Sequence, residues 1–282
     1  MVDGIEPLPV TILSIDAAMT TESRHDATDA TSPEAFTHLL NRRIALRQPA
    51  AGYRVGMDGA LLAAACAGLI GERIAKAGWL SAIELGCGAG GALLSLKARC
   101  PELGITGIER DADYAGLAKD NALLNGMHDV AIVKGDIGRG FKSFDLNRAD
   151  LVFSNPPYFD DPDMLRAPHE AKRPAWIADD GLKAWLDFAL AAVKDGGDIV
   201  FIHRADRLGD LLSGLSDKAG SFLVRPIQPF ADKDAKRVIV RARRLGKAPL
   251  RLLPPLVLHD GGVRKHTHAV EAILRGEEVL GW

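Results

Sequence analysis

The chain has 282 residues, 47% of them hydrophobic and 26% charged, and a formal net charge of −2; this is enough apolar material for a large core and excludes disorder throughout. Cys66, Cys87 and Cys100 show no CxxC or Cys/His ligand spacing, which argues against a disulfide framework or a zinc site and fits a reducing cytosol. The MVDGIEPLPV start has no basic segment, and no uncharged apolar run reaches the roughly 18 residues that cross a bilayer, so a soluble cytoplasmic protein without a metal is expected.

Residues 1–35 hold seven acids against Arg24 and show no sustained period, and they read as an acidic, flexible tail. Residues 36–78 read as an N-terminal helical lead-in: a short stretch with Arg42, Arg43 and Arg47, a turn, then a helix with Asp58 as N-cap before GALLAAACAGL. From Leu80 onward, short Val/Ile/Leu runs alternate with helical stretches, the pattern of a parallel sheet covered on both faces. Strands are predicted at 82–85, 104–109, 130–136, 150–155, 198–203, 222–227 and 236–243. Helices are predicted over ALLSLKAR, over 112–125 with Asp111 as N-cap and Gly126 just past the end, over 182–194, and after Asp206. The short connection between the last two strands predicts an antiparallel return. The fold class is α/β, doubly wound and mostly parallel. In KRVIVRAR, Val238, Val240 and Ala242 alternate with Arg237, Arg241 and Arg243, which predicts one buried and one basic face. The surrounding residues 225–251 hold nine bases against Asp232 and Asp234, a local footprint for phosphates in a near-neutral chain.

AIELGCGAGGALLSL is a strand running into a glycine loop and a helix, where the backbone can approach a ligand closely. Gly86, Gly88 and Gly91 satisfy the GxGxxG dinucleotide pattern, while Glu84, Gly86, Gly88 and Gly90 satisfy the acidic-x-Gly-x-Gly-x-Gly pattern of S-adenosylmethionine sites. The loop alone does not choose between them. Glu109, at the end of GITGIE, is positioned to accept the hydroxyls of a ribose, which both cofactors carry. Asp136 closes the third predicted strand, where it can accept from an adenine amine.

The discriminating stretch is Asn155-Pro156-Pro157-Tyr158 at the end of the fourth predicted strand. A planar amino group is a poor nucleophile because its lone pair is delocalised. The Asn155 amide oxygen and the Pro156 carbonyl, each accepting one amine hydrogen, pull the nitrogen toward a tetrahedral shape and free the lone pair to attack a methyl sulfonium. The prolines fix the acceptor, and Tyr158 offers a face for stacking. The Pro-interrupted segment from Phe159 to Gly181 reads as a substrate lid, and His203, His266 and His268 as structural or surface residues.

ELGCGAGG, Glu109, Asp136 and NPPY, in this order, resemble the class I S-adenosylmethionine-dependent methyltransferases of the amino-methylating type. GYRVGMDGALLAA, NPPYFDD and HRADRLGDLL are similar to bacterial tRNA adenine-N6 methyltransferases that modify the adenine beside the anticodon of a valine tRNA. The resemblance implies a Rossmann-like sheet of seven strands with the last antiparallel, in a methyltransferase domain over 79–282 with residues 36–78 above the cofactor site. It implies that the glycine loop holds the methionine part of S-adenosylmethionine, Glu109 the ribose and Asp136 the adenine, with Asn155, Pro156 and Tyr158 on the target adenine. Asp58, in GMDG, is then a candidate for the pocket lining. The RNA, expected to be a tRNA, meets Arg42, Arg43 and Arg47 and the stripe of Arg237, Arg241, Arg243 and Lys247. Rivals are the same chemistry on protein glutamine, guanine N2 of rRNA or adenine in DNA, a nicotinamide-dependent oxidoreductase, and a catalytically silent RNA-binding factor.

Overall fold

The computed structural model describes residues 35–49, 55–77, 80–157 and 181–282. The acidic tail, Tyr158 and the body of the expected lid lie outside them.

The first described elements correct the helical reading of 36–78. Strands β1 (Ala35–Leu39) and β2 (Ile44–Gln48) form an antiparallel hairpin. IALRQ buries Ile44, Leu46 and Gln48 and turns Ala45 and Arg47 outward, a two-residue period that the adjacent arginines hide. Helix α1 (Met57–Ala77) follows and starts before Asp58. Asp58 is therefore not its cap; its Oδ2 pairs with Arg237 Nε at 3.0 Å.

Next come β3 (Leu80–Leu85), α2 (Gly91–Arg99), β4 (Leu103–Glu109), α3 (Ala112–Leu124), β5 (Ala131–Lys134), β6 (Ala149–Ser154), α4 (Gly181–Ala192), β7 (Val193–Arg204), α5 (Leu208–Ser216), β8 (Ala219–Gln228) and β9 (Arg237–Arg244). Asp111 caps α3 by accepting from the Asp113 and Tyr114 amides, and Gly126 sits past its end at φ 68°. The chain closes with β10 (Arg251–Leu252), β11 (Leu256–Val257) and α6 (His268–Arg275), capped by Thr267.

The main sheet has nine strands in the order β10-β8-β9-β7-β6-β3-β4-β5, with β11 also on β8. The seven expected strands are all present; β10 and β11, two residues each, add to the β8 edge and are too short to leave a pattern. β3 to β7 pair in parallel, and β9 runs antiparallel between β7 and β8. α1, α2 and α6 pack one apolar layer on the sheet and α4 and α5 the other, so β-strand residues of both parities are buried, as in doubly wound folds.

The arginines of β9 do not form a continuous solvent-facing stripe: Arg243 is exposed, whereas Arg237 pairs with Asp58 and Arg241 is largely covered. Arg241 is 11% exposed and binds the buried carboxylate of Asp198, which Arg73 also holds at 2.7 Å. The basic-face reading is corrected at this residue: a charge on a strand flanked on both sides finds a partner or is not tolerated there.

Candidate active site

The sheet topology reverses at β3, whose neighbours are β4 and β6. Ligands of open α/β sheets sit at such a point, beyond the strand C-termini. The registers align those ends: Leu85 pairs with Ile108 and with Ser154, and Glu109 pairs with Lys134. The turns after β3, β4, β5 and β6 therefore leave the sheet at one level. The same level brings together Gly86, Gly88 and Gly90 with Glu109, Asp136 and Asn155.

Gly86, Gly88 and Gly90 have φ of 64°, 53° and 89°, the left-handed region that glycine adopts without strain. A Cβ at Gly86 would lie 2.4 Å from the Trp185 ring, whereas one at Gly88 would meet nothing within 4 Å. The loop is thus backed by Trp185 of α4 and open in front of Gly88. Glu109 closes the loop from below: its Oε2 accepts from the Gly88 amide at 2.9 Å and its Oε1 from the Asp111 amide at 2.8 Å. Each carboxylate oxygen keeps a further lone pair, so the group can hold the loop and still accept two hydroxyls. That space and donor set fit a nucleoside cofactor.

Glu84 is placed elsewhere. It is 3% exposed, accepts the Leu93 amide under the N-terminus of α2, and its Oε2 has no hydrogen-bond partner. Burial, with a smaller contribution from Glu109, pushes its carboxyl well above the usual carboxylate range, against the lowering effect of the Leu93 amide. It supports the loop from behind, through the Leu93 amide at the start of α2.

Asp136 follows β5 and its carboxylate accepts from the Gly138 amide at 2.9 Å, opening a short 3₁₀ turn, Ile137–Arg139. Asn155 is half-buried and Pro156 buried immediately after β6. Ser154 Oγ donates to the Leu85 carbonyl at 2.8 Å, which ties the Asn155 turn to the entrance of the glycine loop. Tyr158 lies outside the described residues. Among the described residues no His/Cys/Asp/Glu group is arranged for a metal ion, and no helix is long and apolar enough to cross a membrane. All three cysteines are buried.

Of the basic residues, Arg42, Arg43 and Arg47 are exposed on the hairpin, and Arg243 and Lys247 are exposed at the end of β9 and beyond. Arg43 donates to the Ala98 carbonyl and Arg243 to the Gly196 carbonyl, and Arg237 is committed to Asp58.

Sequence reasoning missed Asn121. Fully buried on α3, it accepts from the Arg47 amide at 2.8 Å and donates to the Arg47 and Ala89 carbonyls at 3.0 and 2.9 Å. Asn125 does the same for both backbone groups of Ala45. The pair pins the hairpin to α3 and, through Ala89, to the glycine loop. Asn121, inside a helix where asparagine is disfavoured, was the available signal; Asn125 sits at the C-cap of α3.

Residues 82–174 match the family model described as a methyltransferase domain. The tRNA1(Val) (adenine(37)-N6)-methyltransferase of Porphyromonas gingivalis is 31% identical over 208 residues, 70% of this chain and 77% of that one. The release factor glutamine methyltransferase of Deinococcus radiodurans is 29% identical over 171 residues, 58% of each chain. A crystal structure from Agrobacterium tumefaciens, described as a predicted O-methyltransferase, aligns with a TM-score of 0.61 at 23% identity over 80% of this chain and 99% of that one, and shares its fold.

Proposed function

Because the chain belongs to the class I S-adenosylmethionine-dependent methyltransferases of the amino-methylating type, the family of the tRNA1(Val) (adenine(37)-N6)-methyltransferases, we propose that it methylates N6 of adenine in RNA, in a tRNA near the anticodon. S-adenosylmethionine supplies the methyl group as an electrophile on positively charged sulfur. Gly86, Gly88 and Gly90 bind its methionine part along the open face of the loop, Glu109 accepts from its ribose and Asp136 from its adenine.

Asn155 Oδ1 and the Pro156 carbonyl each accept one hydrogen of the target amine. This turns its lone pair out of the ring plane toward the methyl carbon, and Tyr158 stacks on the base, which must leave its helical stack to arrive. As the new C–N bond forms the methyl C–S bond breaks, its electron pair returning to sulfur to leave a neutral thioether, and one gripped proton then passes to solvent. Exposed Arg42, Arg43, Arg47, Arg243 and Lys247 bind phosphates. The observation that supports this most is the register of β3 with β6, which sets the Asn155-Pro156 turn beside the glycine loop.

Similarity to release factor glutamine methyltransferases favours a second reading, a protein glutamine amide as the acceptor. Labelled-methyl incorporation into tRNA, rRNA, DNA and release-factor fractions separates the two. Label in N6-methyladenine of tRNA is expected, falling about 10²-fold or more with Asn155→Ala. Label in glutamine, or an unimpaired Asn155→Ala enzyme, defeats the proposal.

A further inference from the structure

Helix α1 is fastened to the sheet by an ion pair towards each end. Near its start Asp58 Oδ2 meets Arg237 Nε at 3.0 Å, and near its end Arg73 meets Asp198 at 2.7 Å. We propose that Arg237 is a positioning residue for the methyl donor: through Asp58 it holds the first turn of α1 against the start of α2, and so keeps the glycine loop in its binding shape. The inference rests on S-adenosylmethionine lying at the glycine loop, and not on RNA being the acceptor.

The segment around Asp58 bears directly on the loop. Val55 is seated on the first residue of α2, where a Cβ at Gly91 would lie 2.4 Å from both Val55 methyl carbons. On the other side of Asp58, a Cβ at Gly59 would stand 3.6 Å from Ala92 Cβ. Gly90, the last glycine of the loop, is the N-cap of α2, and its carbonyl accepts from the Leu94 amide at 2.9 Å. The end of the loop and the first turn of α2 are therefore one piece, and α1 leans on it.

Three features make Asp58 the handle of that turn. Gly56 and Gly59 flank it and offer no side chain, so the backbone there is free to move unless it is held. The Val55 amide donates to the buried Gln48 Oε1 at 2.6 Å, which fixes the segment only where it begins. The Asp58 carboxylate lies in the first turn of α1, where the helix amides favour negative charge. Arg237 reaches it from a fixed base, since its backbone is paired with Arg204 of β7 on one side and Ile227 of β8 on the other. Both partners are about one-third exposed, at 32% and 27%, so loss of the pair should change an equilibrium by about fivefold and no more.

The test measures S-adenosylmethionine binding by calorimetry for wild type, Arg237→Ala, Asp58→Ala, the double variant, Arg237→Lys and Arg73→Ala. The dissociation constant should rise about fivefold in Arg237→Ala, recover in part in Arg237→Lys, and be no higher in the double variant than in Asp58→Ala alone. Arg73→Ala releases the far end of the same helix and should leave the constant unchanged, whatever it does to the melting temperature. Hydrogen exchange at the Val55 amide should quicken in Arg237→Ala and not in Arg73→Ala. The salt dependence of RNA affinity should be the same in Arg237→Ala as in wild type, because this guanidinium is engaged by a carboxylate. An unchanged dissociation constant in Arg237→Ala, an equal rise in Arg73→Ala, or additive losses in the double variant overturn the inference and leave the RNA reading standing. The expected pattern in an enzyme that methylates glutamine supports the inference and removes the RNA reading. A wild-type protein that binds no S-adenosylmethionine overturns both.

Discussion

Burial of Glu84 and of His203 makes stability depend on pH in opposite senses. The Glu84 carboxyl is raised above 4.5 in the fold, so its contribution is complete below about 4.5 and is lost as pH rises through the raised value. His203 is lowered from 6.5 to about 4, first by burial and then by Arg204, so its contribution is complete above about 6.5 and is lost as pH falls through about 4. Melting curves across pH should show Glu84→Gln gaining on wild type as pH rises above 4.5, and His203→Gln losing less than wild type between pH 6.5 and 4. Gly86→Ala should melt lower and bind S-adenosylmethionine more weakly by calorimetry, since φ 64° and the Trp185 ring 2.4 Å away leave no room for a methyl group. Glycines 86, 88 and 90, Glu109, Asp136 and Asn155 were legible because their order along alternating strands sets their place. The burial of Glu84 was not legible, because an acid two residues before a glycine carries the same letters whether it faces the ligand or the interior.

At the level of elements, the hairpin and β9 depend on buried polar groups as well as on their apolar packing. Asn121→Ala leaves the Arg47 amide and the Arg47 and Ala89 carbonyls without their partner, at a cost of about 1–3 kcal/mol for each group left buried. Denaturant melts should show that loss, and hydrogen exchange should quicken at β2 before it does in the sheet. The Asp198 cluster is graded by exposure. Asp198→Ala strands two guanidinium groups and should cost about 3–5 kcal/mol in urea. Replacing Arg73, 34% exposed, should cost no more than about 1 kcal/mol. The helices and the seven long strands were readable from their periods and caps. Arg241 was misread because strand alternation gives the parity of a side chain and not what lies on each side, and its partner Asp198 comes from another strand. The hairpin was missed because the two-residue period of its second strand is masked by the neighbouring Arg42, Arg43 and Arg47, which read as a basic lead-in.

Across the whole molecule, charge is divided between an acid-rich N-terminal sequence and a base-rich C-terminal third, so the near-zero total says little about partners. RNA affinity measured by filter binding at several salt concentrations should fall linearly on logarithmic axes. Charge removal at Lys247 or Arg42 should each reduce the slope by about one, and removal at Arg241 should leave it unchanged because that cation is neutralised by Asp198. The order of strands also constrains how the protein emerges from the ribosome. β9 lies between β7 and β8, although it is made after both, so β8 has nowhere to dock until Arg237–Arg244 has been synthesised and threaded alongside β7. A nascent polypeptide halted before that point presents an unprotected apolar strand edge. Stalled or truncated translation products of this length should therefore bind chaperones or collect in inclusion bodies, while those extended past Arg244 escape them.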